Sequence, residues 1–240
     1  MNILAIGNSF TQDGAKYLKK IADSEGVDIT LVSLVIGGCS LYSHFRNIKT
    51  NEKCYQMEFN GEWTGFFMSI EEVLLGRKWD VVTIQQFSME SPNYDTFQPY
   101  LNYFVDYVRE YAPGAKIYIQ QIWSYENGSG VLKNWTNYSD TEEMFVDVKA
   151  SYEKALIDSG ADGLIRSGEV ILELMRKGYK MHRDGLHVTL GLGRYALSLL
   201  WYAVLTGRSI DDVSIMHFDE PISYEQVCDA KAVVNKVLGK

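Results

Sequence analysis

The sequence predicts a three-layer α/β/α sandwich around a mostly parallel, five-stranded sheet, and three observations lead there. Short apolar runs alternate along the chain with segments of helical periodicity, the pattern of a parallel sheet covered on both faces. The 240 residues, 46% hydrophobic and 22% charged, suffice for one α/β domain with a large core. No internal repeat, low-complexity tract or Pro/Gly/Ser linker interrupts residues 1–240, so a single domain is expected.

The first strand is expected at Asn2–Ile6, running into Gly7-Asn8-Ser9, and a helix at Gln12–Glu25 with Ala15, Leu18, Ile21 and Ala22 on one face. Asp28–Val35 reads as the second strand, stopped by Gly37-Gly38. Tyr55–Trp63 reads as a hairpin, because Asn60-Gly61 tolerates the positive φ of a type I′ turn. A short helix over Ile70–Gly76 and a third strand over Asp80–Gln85 follow. Next come a helix over Phe97–Tyr111, closed by Pro113-Gly114, and a fourth strand over Lys116–Gln121. An irregular stretch from Trp123 to Asp140 leads to a helix over Glu142–Ser159 and a short fifth strand at Gly163–Ile165. Helices from about Gly168 to Lys177, over the strongly apolar Thr189–Leu205 and over Tyr224–Leu238 complete the chain.

In such sheets chemistry gathers at the carboxyl ends of the strands, which directs attention to Gly7-Asn8-Ser9-Phe10-Thr11. A serine between a buried strand and a helix holds its hydroxyl at that edge. Taken alone, Ser9 or Thr11 reads equally well as a helix cap; a flavodoxin-like cradle for a phosphate or flavin is the lesser alternative, since few glycines and no Lys follow the turn. A second segment, Arg183-Asp184-Gly185-Leu186-His187, precedes the apolar helix. A hydroxyl becomes a good nucleophile when a base takes its proton, and a histidine base needs a carboxylate to fix its tautomer. Asp184 and His187, three residues apart with Gly185 to bend the chain, can aim at one point, although a surface loop with an incidental histidine has the same spacing.

Together these segments resemble the SGNH (GDSL-like) hydrolase superfamily, whose first block is a strand followed by Gly-x-Ser and whose last is Asp-x-x-His. The resemblance covers essentially the whole chain and implies a flavodoxin-like SGNH fold. It implies Ser9 as nucleophile, His187 as general base and Asp184 as its orienting partner. It also implies an oxyanion hole from the N–H of Ser9, a second-block glycine, here Gly38, and a third-block asparagine. The third block departs from that pattern: Ile84-Gln85-Gln86-Phe87-Ser88 follows strand three, so Gln85 or Gln86 would supply the amide, with Ser88 a third candidate. Alternation along the strand points the two glutamines in opposite directions. The departure suggests a divergent bacterial branch.

The implied activity is that of a serine esterase removing an acetyl or other small acyl group from a carbohydrate. A non-catalytic carbohydrate-binding protein on the same fold is the alternative. A net charge of -8 argues against nucleic acid and anionic membranes and suits a small-molecule or carbohydrate ester. Weaker candidates for lining the substrate site are His44, Trp123 and Tyr125, with Trp135 nearby; each reads as readily as core or loop packing. His182 could compete with His187 but lacks the Asp at the matching offset. His217 reads as structural or exposed. Cys39 beside Gly38 reads as packing, because no basic group is placed to make it a thiolate. Three cysteines without CxxC spacing give no disulfide framework or zinc site, and neither a metal nor a cofactor is expected. Reduced thiols and an N-terminus without a basic leader point to the cytoplasm; an exported protein already relieved of its signal peptide would read the same.

Overall fold

The structure, a computed structural model, describes residues 1–215 and 217–240. Strands β1 (Asn2–Gly7), β2 (Thr30–Val35), β3 (Tyr55–Phe59), β4 (Glu62–Met68), β5 (Val81–Ile84), β6 (Lys116–Gln121) and β7 (Gly163–Arg166) form one sheet in the order β4-β3-β2-β1-β5-β6-β7. Five of them, β2-β1-β5-β6-β7, are mutually parallel and correspond to the five predicted strands. Ile3, Leu4 and Ile6 of β1 are wholly buried, as a strand covered on both faces requires. Counted among the parallel strands alone, the order is the 2-1-3-4-5 of flavodoxin-like sheets, whose ligand crevice lies at the carboxyl ends where the order reverses. That point is the exit of β1 beside β5.

The sheet has seven strands, not five, because the predicted hairpin joins it. β3 pairs antiparallel with β2, from Val32 opposite Phe59 to Val35 opposite Gln56, and β4 pairs antiparallel with β3. The turn is of the expected kind, with φ of +52° at Asn60 and +84° at Gly61. It is tied to the start of β2: Asn60 N donates to Leu31 O (2.8 Å) and Leu31 N to Asn60 Oδ1 (2.9 Å).

The expected helix over Gln12–Glu25 is two helices, α1 (Ser9–Ala15) and α2 (Leu18–Ser24). The break falls at Tyr17, whose N–H donates to Ser198 Oγ (3.0 Å) on the apolar helix α9 (Leu192–Thr206) instead of continuing the ladder. α9 starts three residues later than predicted, because Thr189 N donates to Met181 O (2.8 Å) and holds the preceding segment in a tight turn. Two helices outside the expected elements also form, α3 (Leu41–Thr50), capped by Ser40, and α6 (Gly130–Trp135), capped by Ser129. The others are α4 (Ile70–Leu75), α5 (Tyr100–Tyr111), α7 (Thr141–Ser159), α8 (Ser167–Arg176) and α10 (Tyr224–Val237). α1, α2, α8, α9 and α10 pack together on one face of the sheet, and α3, α4, α5 and α7 on the other. Among the described residues no helix is long and apolar enough to cross a membrane.

Candidate active site

Ser9 is the first residue of α1, and it is not the cap. Asn8 takes that position with extended backbone, its Oδ1 accepting from Phe10 N (3.0 Å). The Ser9 hydroxyl is therefore free to point out of the strand end. Gly7 makes this tight passage possible: a Cβ there would lie 2.1 Å from Thr11 Oγ1 and 2.7 Å from Gln85 Oε1. The turn is pinned further by Gln85 Nε2, which donates to Asn8 Oδ1 (2.9 Å), and by Asn8 Nδ2, which donates to Cys39 O (3.3 Å). Thr11 is fully buried and its hydroxyl donates to Gln85 Oε1 (2.6 Å), so it is not available to hold a phosphate or flavin.

The predicted partners converge on Ser9 from the far end of the chain. Ser9 Oγ donates to His187 Nε2 across 2.7 Å, and His187 Nδ1 donates to Asp184 Oδ2, also across 2.7 Å. The carboxylate thus fixes the tautomer that leaves Nε2 as acceptor. Asp184 also organises its own turn, its Oδ1 accepting from His187 N (2.7 Å) and Leu186 N (3.0 Å). Gly185, at φ +81°, supplies the bend, and a Cβ there would lie 2.8 Å from Ser129 Cβ. Partial burial raises the Asp184 carboxyl, but these N–H donors together outweigh it and hold the pKa at about 2.

Asp13 and Arg194, which belong to no motif of the sequence, join Arg183 in locking this turn to α1. Asp13, one helical turn after Ser9 and 1% exposed, accepts from Arg183 Nη1 (2.9 Å) and Arg194 Nε (2.8 Å). Arg183 Nη1 also donates to Val188 O, and Arg183 N donates to His187 O (2.9 Å). Asp13 therefore couples the helix that carries Ser9 to the turn that carries His187. The available signal was an aspartate at i+4 from Ser9 in a helix otherwise destined for the core.

For stabilising negative charge on a reacting carbonyl, the site offers the backbone N–H groups of Ser9 and Gly38, which donate to no other described residue. Gly38 follows β2 in the neighbouring strand exit and is exposed. Gln85 and Gln86 do not complete the oxyanion hole as expected: both are fully buried and their amides engaged. Gln85 Nε2 donates to Asn8 Oδ1 and to Gln86 O (3.2 Å). Gln86 Nε2 donates to Thr96 O and Thr96 Oγ1 (both 3.1 Å), and its Oε1 accepts from Leu41 N (2.9 Å) and Phe87 N (2.8 Å). Alternation did send them to opposite faces, Gln85 toward α1 and Gln86 toward α3. Ser88 is buried too, its Oγ accepting from Tyr125 OH (2.9 Å).

The weaker candidates are core residues rather than substrate contacts. His44 lies on α3, not a loop; it is fully buried, its Nδ1 is 2.8 Å from Tyr55 OH, and burial lowers its pKa to about 3. Trp123 is fully buried and stacks on Phe10 with centroids 4.1 Å apart, while its Nε1 donates to Leu186 O (2.9 Å) and so supports the Asp184 turn from beneath. Tyr125 is buried against Ser88; Trp135 is exposed. His182 is buried with Nε2 2.9 Å from Ser124 O, and burial lowers its pKa to about 4, so it does not compete with His187. His217 is exposed. Burial pushes the Cys39 thiol up to about 12, which keeps it protonated. Among the described residues, no cluster of three His, Cys, Asp or Glu side chains is placed to hold a metal ion.

The family described as DUF4886, a domain of unknown function, matches residues 2–229. The fold is similar to that of a DUF4886 family protein from Bacteroides uniformis, at 30% identity over 99% of this chain and 94% of that one, with a TM-score of 0.92. It is also similar to a candidate SGNH hydrolase from Slackia heliotrinireducens, at 20% identity over 84% of this chain and 97% of that one (TM-score 0.56). The acetylxylan esterase Axe2 from Geobacillus stearothermophilus shares the fold at 12% identity over 86% of this chain and 94% of that one (TM-score 0.58). No curated protein matches.

Proposed function

We propose that this chain, which belongs to the DUF4886 family and has the fold of SGNH hydrolases, is a serine esterase acting on a small acyl ester of a carbohydrate. The observation that carries the reading is the linear array Ser9 Oγ, His187 Nε2, His187 Nδ1, Asp184 Oδ2, with both gaps at 2.7 Å. His187 Nε2 takes the Ser9 proton as Oγ attacks the ester carbonyl, and the imidazolium that forms is held by the Asp184 carboxylate. The carbonyl oxygen becomes an oxyanion facing the N–H groups of Ser9 and Gly38. His187 then protonates the leaving alcohol, and water, activated by the same base, releases the acyl group from Ser9. The carbohydrate alcohol is supported by the chain's negative charge, which suits a neutral substrate, and by the activity named for Axe2.

Ser9→Ala tests the reading. Wild-type protein is expected to hydrolyse p-nitrophenyl acetate and to be labelled by a fluorophosphonate, and the variant to lose labelling and at least about 10^4-fold in turnover. Full turnover by Ser9→Ala removes the proposal. A second reading, a sugar-binding protein without efficient chemistry, draws on the engaged amides of Gln85 and Gln86, which leave two backbone donors and no side-chain amide for the oxyanion. Labelling that depends on His187 eliminates it.

A further inference from the structure

A cavity of about 220 Å3 opens beside Ser9, between α1, the β3–β4 hairpin and the segment holding Arg183 and Arg194. It is smaller than the roughly 300–1,000 Å3 of sites for drug-sized ligands, so it accepts one ring or a group of that size. Its wall is polar and carries both signs of charge, almost all of it paired. Asp13 is held by Arg183 and Arg194, Arg194 also by Asp219, and Lys16 by Gly61 O (2.9 Å) and Glu62 (3.0 Å).

Glu58 differs from these. It is the lining charge without an ion-pair partner among the described residues. Its Oε1 accepts from Gln12 Nε2 (2.5 Å), which fixes the carboxylate, while Oε2 takes no donor among the described residues. Burial, opposed by the Gln12 hydrogen bond and the Lys16 charge, leaves its carboxyl above the ordinary range. Across the hairpin Glu58 is in register with Trp63, 60% exposed, and opposite residues of an antiparallel pair present their side chains on one face. Trp63 thus shares the hairpin face of Glu58, although it does not line the cavity.

The position of the cavity says which half of an ester it meets. His187 must protonate the departing alcohol, and Arg183, which lines the cavity, is bonded backbone to backbone to His187 (2.9 Å). An anionic group would face Glu58 there, with Lys16 and Arg183 already paired and so not free to offset the repulsion. A neutral ring rich in hydroxyls can donate to Glu58 Oε2 with no charge to oppose. We propose that this cavity is the subsite for the alcohol portion of the substrate, that it takes a neutral, hydroxyl-rich ring, and that Glu58, oriented by Gln12, determines that specificity. This rests on the esterase reading and assigns the selectivity to the hairpin that extends the sheet.

The test compares two acetates, p-nitrophenyl acetate and a monoacetylated methyl glucoside, in wild type, Glu58→Gln and Glu58→Ala. The ratio of kcat/KM for the sugar ester to that for the aryl ester is expected to fall at least tenfold in Glu58→Ala, through KM, and about threefold in Glu58→Gln, whose amide oxygen still accepts. Ratios within twofold of wild type in both variants, at an unchanged melting temperature, overturn the subsite. Should wild type hydrolyse neither ester and resist the fluorophosphonate, the esterase reading fails. Saturation-transfer NMR with methyl glucoside then tests the cavity alone. A sugar signal present with wild type and abolished in Glu58→Ala supports the subsite; no signal with wild type, or one that survives in the variant, overturns it.

Discussion

Replacing Asp184 by Asn or Ala separates two duties that one carboxylate performs. Oδ1 accepts the N–H groups of Leu186 and His187 and so builds the turn, while Oδ2 accepts His187 Nδ1–H and so sets the tautomer. Asn can keep the first duty through its carbonyl oxygen but presents an NH2 group to Nδ1. The imidazole then carries its proton on Nε2 and cannot receive one from Ser9. Triads altered in this way lose about 10^4-fold in kcat, or roughly 5 kcal/mol of transition-state stabilisation. Ala removes both duties. The carboxylate is 48% exposed, so its two backbone hydrogen bonds are worth together about 1 kcal/mol, near the low end for such bonds. In a chain of this size that is a melting temperature lower by about 2–4 °C. The assay is p-nitrophenyl acetate turnover beside thermal unfolding of both variants. Asp184→Asn should lose activity with little change in melting temperature, and Asp184→Ala should lose both. If Asp184→Asn keeps turnover within tenfold of wild type, the tautomer argument is wrong.

The Asp184 pKa of about 2, below the ordinary 3.8, makes this carboxylate stabilising above about pH 4, with the contribution lost as pH falls through 2. The melting-temperature gap between wild type and Asp184→Ala should accordingly narrow from pH 5 to pH 2, and a gap that widens would contradict the assigned direction. Asp13→Asn leaves two arginines facing a neutral, nearly inaccessible partner; a loss of about 3 kcal/mol in urea unfolding is expected, with turnover reduced because the His187 turn is no longer tied to α1. Gly7→Ala drives a methyl group into Thr11 and Gln85 and should cost about 1–3 kcal/mol and displace Ser9, measured by unfolding and turnover on one preparation.

The parallel strands were legible because strands covered on both faces are largely apolar, as Ile3–Ile6 is throughout and Val81–Ile84 is but for Thr83. The hairpin was legible from Asn60-Gly61, but its addition to the sheet edge was not, since pairing with β2 is a non-local choice that its own residues do not encode. The break between α1 and α2 was hidden for the same reason: Ser198, the residue that takes Tyr17 N, lies 181 positions away. The meeting of Ser9, Asp184 and His187 in space was recoverable because two short patterns at opposite chain ends implied one sheet edge. The roles of Gln85 and Gln86 were not, because alternation gives a side chain its face but not its partner. Asn8 and Thr96, which engage those amides, carry no mark of that role in their own neighbourhoods. The aromatics Trp123 and Tyr125 misled by sitting in a segment without periodicity, where loop and core cannot be told apart.

The capping of α1 by Asn8 rather than Ser9 has a consequence for how this protein can be manipulated. The residue that would attack substrate and the residue that secures the backbone are adjacent but distinct. Exchanging Ser9 for alanine, a strong helix former at the first helical position, removes the attacking hydroxyl and leaves the turn's fastenings in place. An inert copy of the chain should therefore remain folded and keep its cavity shape, and can serve as a trap that holds an uncleaved ester long enough to be identified from a mixture.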